Sequence, residues 1–178
     1  MRIYVPATLD ELASAVVSAG GARWDVPARR AHADTEALAE ALPDDDEEAR
    51  EYAAFLAAAD DSLALVAARG GAVPLRVVVS ADVARAAVSE AAGDDVPPSG
   101  VDVAAVPGAA IVAVHADEPE AAADVRAVLA AADAESDAEG VASRAAATDE
   151  VLDDALQRVT DRDLLWYDAT EVHQVPRP

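Results

Sequence analysis

Two short stretches place a histidine and an aspartate two residues apart: RAHADTEALAEAL, beginning at Arg30, and AVHADEPEAAADV, beginning at Ala113. In an extended chain, residues i and i+2 point to the same side. His32 with Asp34, and His115 with Asp117, would thus each offer an imidazole and a carboxylate to one ion or one proton-transfer site. If the two strands were neighbours, four nitrogen and oxygen ligands would converge, which is the chemistry of a metal-assisted or acid-base enzyme. The competing reading is structural. About one residue in five is acidic, so this spacing arises by chance, and an aspartate at a strand-to-helix transition serves as a helix cap.

A second candidate is the locally cationic segment holding Arg23, Arg29 and Arg30 beside Trp24, with Asp25 as its opposing charge. Arginines near an indole grip a phosphate or carboxylate, or stack a base; they also pair with the carboxylates that this chain has in abundance. The acid run Asp44 to Glu48 lacks the glycine and the ligand spacing of a calcium-binding loop and suits the positive end of a helix dipole. The aromatic pair Trp166 and Tyr167 offers a ligand-pocket lining; against that, the two face opposite sides at strand spacing, so one is expected in the core and the other partly exposed. No serine-nucleophile elbow, glycine-rich dinucleotide loop, phosphate-binding loop or zinc-ribbon spacing occurs.

Composition narrows the chemistry further. The 178 residues include 35 acidic and 13 basic ones, for a net charge of -22, and there is no cysteine. Lysine and asparagine are also absent, so Schiff-base and lysine-base catalysis are excluded along with disulfides, thiolate metal sites and a cysteine nucleophile. A surface this anionic repels phosphate backbones and anionic membranes, so neither nucleic acid nor membrane is an expected partner. The start, MRIYVPATLDEL, lacks the basic patch and apolar run of a signal peptide, and no window reaches the length of a membrane span. A cytoplasmic protein is expected.

The elements that must position these residues are legible in part. Arg2 to Val5 reads as a strand closed by Pro6, with Ile3 and Val5 on one face and Tyr4 on the other. Thr8 to Glu11 reads as a capping box opening a helix through Leu9, Leu12 and Val16, stopped by Gly20 and Gly21. After a loop holding Trp24 and Pro27, an extended stretch from Arg29 to Asp34 precedes Thr35 and a short helix. The acid run then opens the longest helix, whose Tyr52, Leu56, Ala59, Leu63 and Val66 form an apolar seam predicted to pack on a sheet. Leu75 to Val79 is the expected central strand, because its β-branched run suits burial on both faces. A helix over Val83 to Ala92, strands at Val101 to Val106 and Ile111 to His115, and a helix carrying Val125, Val128 and Leu129 follow. Ala132 to Ala147 reads as a flexible acidic surface loop; the helix from Asp149 to Val159 and an extended run from Leu164 to Val172 end the chain. The order fits one α+β domain over 1–178, a two-layer sandwich with a mixed central sheet; an α/β wound sheet is the alternative.

Through MRIYVPAT, RAHADT, EYAAFLAAAD, VHADE and LLWYDATEV, the chain resembles an uncharacterised family of small acidic actinobacterial proteins. That resemblance implies a GC-rich genome as the origin of the composition and transfers no activity. The leading expectation is therefore a nonenzymatic intracellular binding or adaptor domain without a cofactor, its partner an unidentified protein or small molecule. The alternatives are the enzyme built on His32, Asp34, His115 and Asp117, and an anionic-ligand site at Arg23, Trp24, Arg29 and Arg30.

Overall fold

The computed structural model describes residues 1–93, 95–138 and 142–178. In chain order the elements are β1 (Arg2–Ala7), a 3-10 turn, β2 (Val16–Ser18), β3 (Gly21–Val26), β4 (Arg29–His32), α1 (Glu36–Ala41) and α2 (Glu47–Ala68). There follow β5 (Val77–Asp82), β6 (Val88–Glu90), β7 (Gly100–Val103), β8 (Val106–Ala116), α3 (Ala122–Ala138), α4 (Ala142–Thr160) and β9 (Leu165–Asp168), then a closing 3-10 segment. The strands make one sheet in the order β2-β3-β8-β5-β1-β4-β7-β6, with β9 added beside β8. The fold is α+β, as expected, but every strand pair among the described residues is antiparallel. The mixed sheet and the wound α/β alternative are both corrected.

One connection dictates the sheet's shape. Only Pro27 and Ala28 separate β3 from β4, so the strand ends lie at most about 11 Å apart. In a flat sheet these two strands, with β8, β5 and β1 between them, would stand about 19 Å apart. The sheet must therefore curl until β3 approaches β4. Its concave face holds one continuous core in which Ile3, Val5, Trp24, Val26, Val77, Val79, Val101, Val103 and Ile111 join Leu9, Leu12, Val172 and Val175 from the segments closing it.

The helices lie on the opposite face. Alternation along β1 sends Ile3 and Val5 into the concave core and Tyr4 toward α2, where it meets Leu38, Ala54, Ala58, Ala59 and Val78. The face α2 turns to the sheet is thus small. Ser62 fixes it there, its hydroxyl donating to the carbonyl of Ala7 at 2.9 Å and accepting from the amide of Val77 at 2.7 Å. Of the seam read through Tyr52, Leu56, Ala59, Leu63 and Val66, Ala59 and Val66 are buried, but the buried stripe is centred roughly a quarter turn away, and Tyr52 is 56% and Leu56 44% exposed. In a helix where alanine is the commonest residue, large side chains do not mark the inner face, because alanines permit the closer approach. Asp46 caps the helix from the acid run, accepting from the amide of Ala49.

Other expectations change locally. The helix expected after Thr8 stops at Ser14, and Val16–Ser18 pairs with β3 across a turn in which Gly21 takes φ +122; the two glycines close a hairpin, not a helix. Trp24 lies in that hairpin's second strand, not in a loop. Val83 to Ala92 forms a 3-10 turn and β6, not a helix. The expected flexible stretch from Ala132 to Ala147 is helical where described, since α3 runs to Ala138 and α4 begins at Ala142; the rest of it, 139–141, lies outside the described residues. Alanine's helix propensity outweighs the missing periodicity. α3 and α4 pack against the end of α2 through Val66, Val125, Val128, Ala155 and Val159.

Stability tests both the core and its ion pair. Leu75→Ala and Leu12→Ala empty fully buried positions and should each cost about 2–5 kcal/mol, while Leu56→Ala should stay within about 0.5 kcal/mol; urea denaturation distinguishes them, and equal losses at all three would place Leu56 in the core. Arg76 and Asp117 form a buried ion pair at 2.8 Å in which the carboxylate also accepts from the Arg76 amide at 2.7 Å. Asp117→Ala strands a buried guanidinium and should cost about 3–5 kcal/mol, whereas Arg76→Met with Asp117→Leu should recover most of that loss. A double variant no more stable than Asp117→Ala would show that the pair specifies the strand ends beyond its charge balance.

Candidate functional site

The residues singled out in the sequence are held apart by the sheet. His32 lies on β4 and His115 on β8, with β1 and β5 between them, roughly 14 Å along the sheet. His32 is fully buried, its Nδ1 2.9 Å from Ser99 Oγ and its Nε2 3.0 Å from Asp61 Oδ2. This serine–histidine–aspartate chain ties β4 to the loop before β7 and to α2. Both Ser99 and His32 are buried, so no substrate reaches them. Asp34 binds Arg50 of α2 through both carboxylate oxygens, at 2.9 and 3.1 Å, and Asp117 is taken by Arg76. Neither aspartate caps a helix, contrary to the structural expectation for them; Thr35 caps α1 by accepting from the Leu38 amide. Among the described residues no group of histidines and carboxylates is arranged to hold a metal ion.

The arginine segment is likewise dispersed. Arg23 donates to the carbonyl of Gly108 at 2.8 Å, Arg29 to Glu11 at 2.9 Å, and Arg30 stands 3.6 Å from Asp102. Trp24 is buried in the concave core. Glu11 also binds Arg69 and the Thr8 amide. Burial pushes its carboxyl upward, but the Thr8 amide and the two guanidiniums outweigh this and hold it below its ordinary value.

A different set of side chains converges. On the helical face Tyr4 stands opposite both His32 and Ser80, Ser80 opposite Ala113, and His115 opposite Val78 and Trp166. Directly opposed residues share a face, so Tyr4, Ser80, His115 and Trp166 all point toward α2. Between Ser80 and Ala81 the register shifts, leaving Val112 as the extra residue; such bulges re-aim side chains near sites. The result is a cleft of about 560 Å³. Its floor is Tyr4, Ser80, Val112, Ala113 and His115, and its walls are Glu48, Glu51, Tyr52 and Phe55 on one side and Asp163, Leu164 and Trp166 on the other. A second cavity of about 160 Å³ shares Tyr52, Phe55, Asp163 and Leu164 with it and is lined also by Leu56 and Thr160.

The cleft is aromatic and ordered. Phe55 stacks on Tyr52 with centroids 5.9 Å apart, meets Tyr4 edge-on at 6.2 Å, and lies 4.8 Å from the His115 ring. His115 Nε2 is 3.3 Å from Ser80 Oγ, and burial pushes its proton affinity down. Tyr4 is pushed up to about 12, by burial first and the Glu51 charge second, so its hydroxyl keeps its proton. Trp166 is 61% exposed although it faces the cleft. Its neighbour Tyr167 points to the other face of β9 and packs on the concave core, as alternation along that strand predicts.

The chain matches a family of unknown function (DUF6912) over residues 1–175. It belongs to that family. No curated protein and no solved structure matches it. Of the cleft residues, the sequence singles out Trp166, His115 and the outward face of Tyr4, and it assigns Tyr52 to the wrong side. Phe55 escapes it. The available signal is scarcity: the chain has two tryptophans, three tyrosines and one phenylalanine, and Phe55 follows Tyr52 at i+3, one face of a helix.

The depressed His115 sets a pH dependence. The unfolded chain takes up a proton near the ordinary value of about 6.5, while the folded protein resists it. Stability is therefore fully present above about pH 6.5, falls as pH drops below that, and levels off beneath the folded value. A His115→Gln variant should lose less stability than the wild type in denaturation between about pH 7 and 5.5. An NMR titration placing His115 at or above the ordinary value would refute the assignment.

Proposed function

We propose that the protein is a nonenzymatic binding domain whose site is the cleft between α2, the sheet and β9. One observation carries the reading: four of the chain's six aromatic side chains, Tyr4, Tyr52, Phe55 and Trp166, converge on this single cleft. Exposed aromatic surface forgoes burial energy of about 25 cal/mol per Å², and a chain so poor in aromatics leaves Tyr52 and Trp166 open only here. The volume of about 560 Å³ suits a small-molecule ligand.

The alternative use of Ser80 and His115, as nucleophile and base, has less support. Ser80 sits in the interior of β5 with β1 paired on one side and β8 on the other. Acyl transfer needs free donors aimed at the developing oxyanion, and a mid-strand serine paired on both sides lacks the exposed turn that presents them. The reading includes a cytoplasmic setting, and a GC-rich actinobacterial source supported by the Ala, Val, Arg and Asp bias. It also includes indifference to nucleic acid, supported by the net charge of -22.

An NMR screen of small organic molecules tests the site. Binders should move the indole N–H of Trp166 and the amides of Ser80 and His115 while leaving the indole of Trp24 in place, and Trp166→Ala should abolish those shifts. Binders that cluster away from the cleft and leave Trp166 unmoved would sink the reading.

A further inference from the structure

We infer that the cleft's ligand is a small organic cation, an ammonium group carried on a flat apolar body; this rests on the cleft being the binding site. The lining carries three carboxylates, Glu48, Glu51 and Asp163, against one guanidinium, Arg2. That guanidinium is already matched, with Nε 2.9 Å from Asp82. In the adjoining cavity that shares Tyr52 and Phe55, Arg76 is held by Asp117, and Arg162 by Asp124 and Glu118. The uncompensated charge of the cleft is negative.

The walls supply the rest of the recognition. Ring faces carry negative quadrupole density and attract a cation within about 6 Å of the centroid. Tyr52 and Phe55 offer a stacked pair, with 22° between their planes, and Trp166 stands opposite on β9. The imidazole of His115, its proton affinity lowered by burial, adds no positive charge at neutral pH. The ring N–H and hydroxyl groups of the floor are left to orient polar atoms of the ligand.

Other ligand classes fit less well. An anion would meet three carboxylates and the field of a chain with net charge -22. A bare metal ion gains no ligand atoms from Tyr52, Phe55 or Trp166 faces. A neutral aromatic would cover Glu51 and leave its charge only the Tyr4 hydroxyl and the already paired Arg2 nearby. An ammonium on a flat body satisfies both the rings and the carboxylates.

Calorimetry with three matched probes, phenethylammonium, phenethyl alcohol and hydrocinnamate, tests the inference, with NMR shifts of Trp166 and His115 locating each event. The ammonium should bind about tenfold or more tightly than the alcohol, and hydrocinnamate least. Trp166→Ala and Glu51→Gln, both at positions open to solvent in part, should each weaken the ammonium about threefold or more, while thermal unfolding confirms that the variants are folded. Equal binding of alcohol and ammonium in the cleft overturns the cation and leaves the binding site standing. Ammonium binding that ignores both substitutions is attraction to the general charge and overturns it too, as does failure of all three probes to move the cleft resonances. A lysine-bearing tetrapeptide that outcompetes the free amine there would make the occupant a polypeptide and equally overturn the proposal.

Discussion

The two-residue passage from β3 to β4 through Pro27 and Ala28 constrains everything else in the molecule. Strands that the pairing order sets four places apart must meet at one end, so the sheet curls and acquires an inside and an outside of different character. The inside fills with β-branched residues and Trp24, closed by the 3-10 segments that bring Leu12, Val172 and Val175 over it. A curled sheet of this kind cannot be covered on its outer face by one straight helix. α2 seats itself over β1 and β5 through alanines and Ser62, and the sheet falls away beneath its large side chains.

The cleft is the space that this mismatch leaves. Tyr52 and Phe55 project from α2 over the sheet, Phe55 reaching Tyr4 and His115, and β9, laid beside β8, raises Trp166 as the opposite wall. The floor is polar where a plain core would be apolar, with Ser80 and His115 in contact. The ion pair of Arg76 with Asp117 secures the adjoining ends of β5 and β8, and the shift in register at Val112 lies close to His115 on the same strand. Fold and site share their determinants here: the strands that are most deeply buried are also the ones that present the floor.

Much of this is legible in residue order because it depends on local chemistry. The alternation of Ile3, Tyr4 and Val5 assigns both faces of β1 correctly; Val77 to Val79 mark the central strand; Thr35 and the acid run mark two helix starts. What fails depends on choices that alanine leaves open. With nine alanines among the 22 residues of α2, two apolar stripes a quarter turn apart are available, and the larger side chains advertise one while the smaller stripe packs. Gly20 and Gly21 stop a helix or turn a hairpin equally well, and only pairing with β8 decides that Val16 to Val26 is a hairpin. The two His-Ala-Asp stretches are alike in sequence, yet one histidine is enclosed with Asp61 and Ser99 while the other opens on the cleft, because β4 and β8 occupy different places in the sheet. Their aspartates suit helix caps by position and instead hold arginines, a pairing across the fold that no local spacing reveals.

Arginine, too, is distributed by the demands of the fold. In a chain with 13 arginines against 35 carboxylates and no lysine, a guanidinium is the scarce partner, and its planar fork holds carboxylates in fixed geometry where an ammonium would not. The structure commits Arg29, Arg50, Arg76 and Arg162 to carboxylates that join separate elements. Among the described residues, other acids form no ion pair with an arginine, and Glu51 instead lies against the Tyr4 hydroxyl. Glu48 and Glu51 stand among them at the wall of the aromatic cleft, with Asp163 across from them. Carboxylates kept near exposed aromatic faces in a protein that uses its arginines for structure leave the positive charge to be brought from outside.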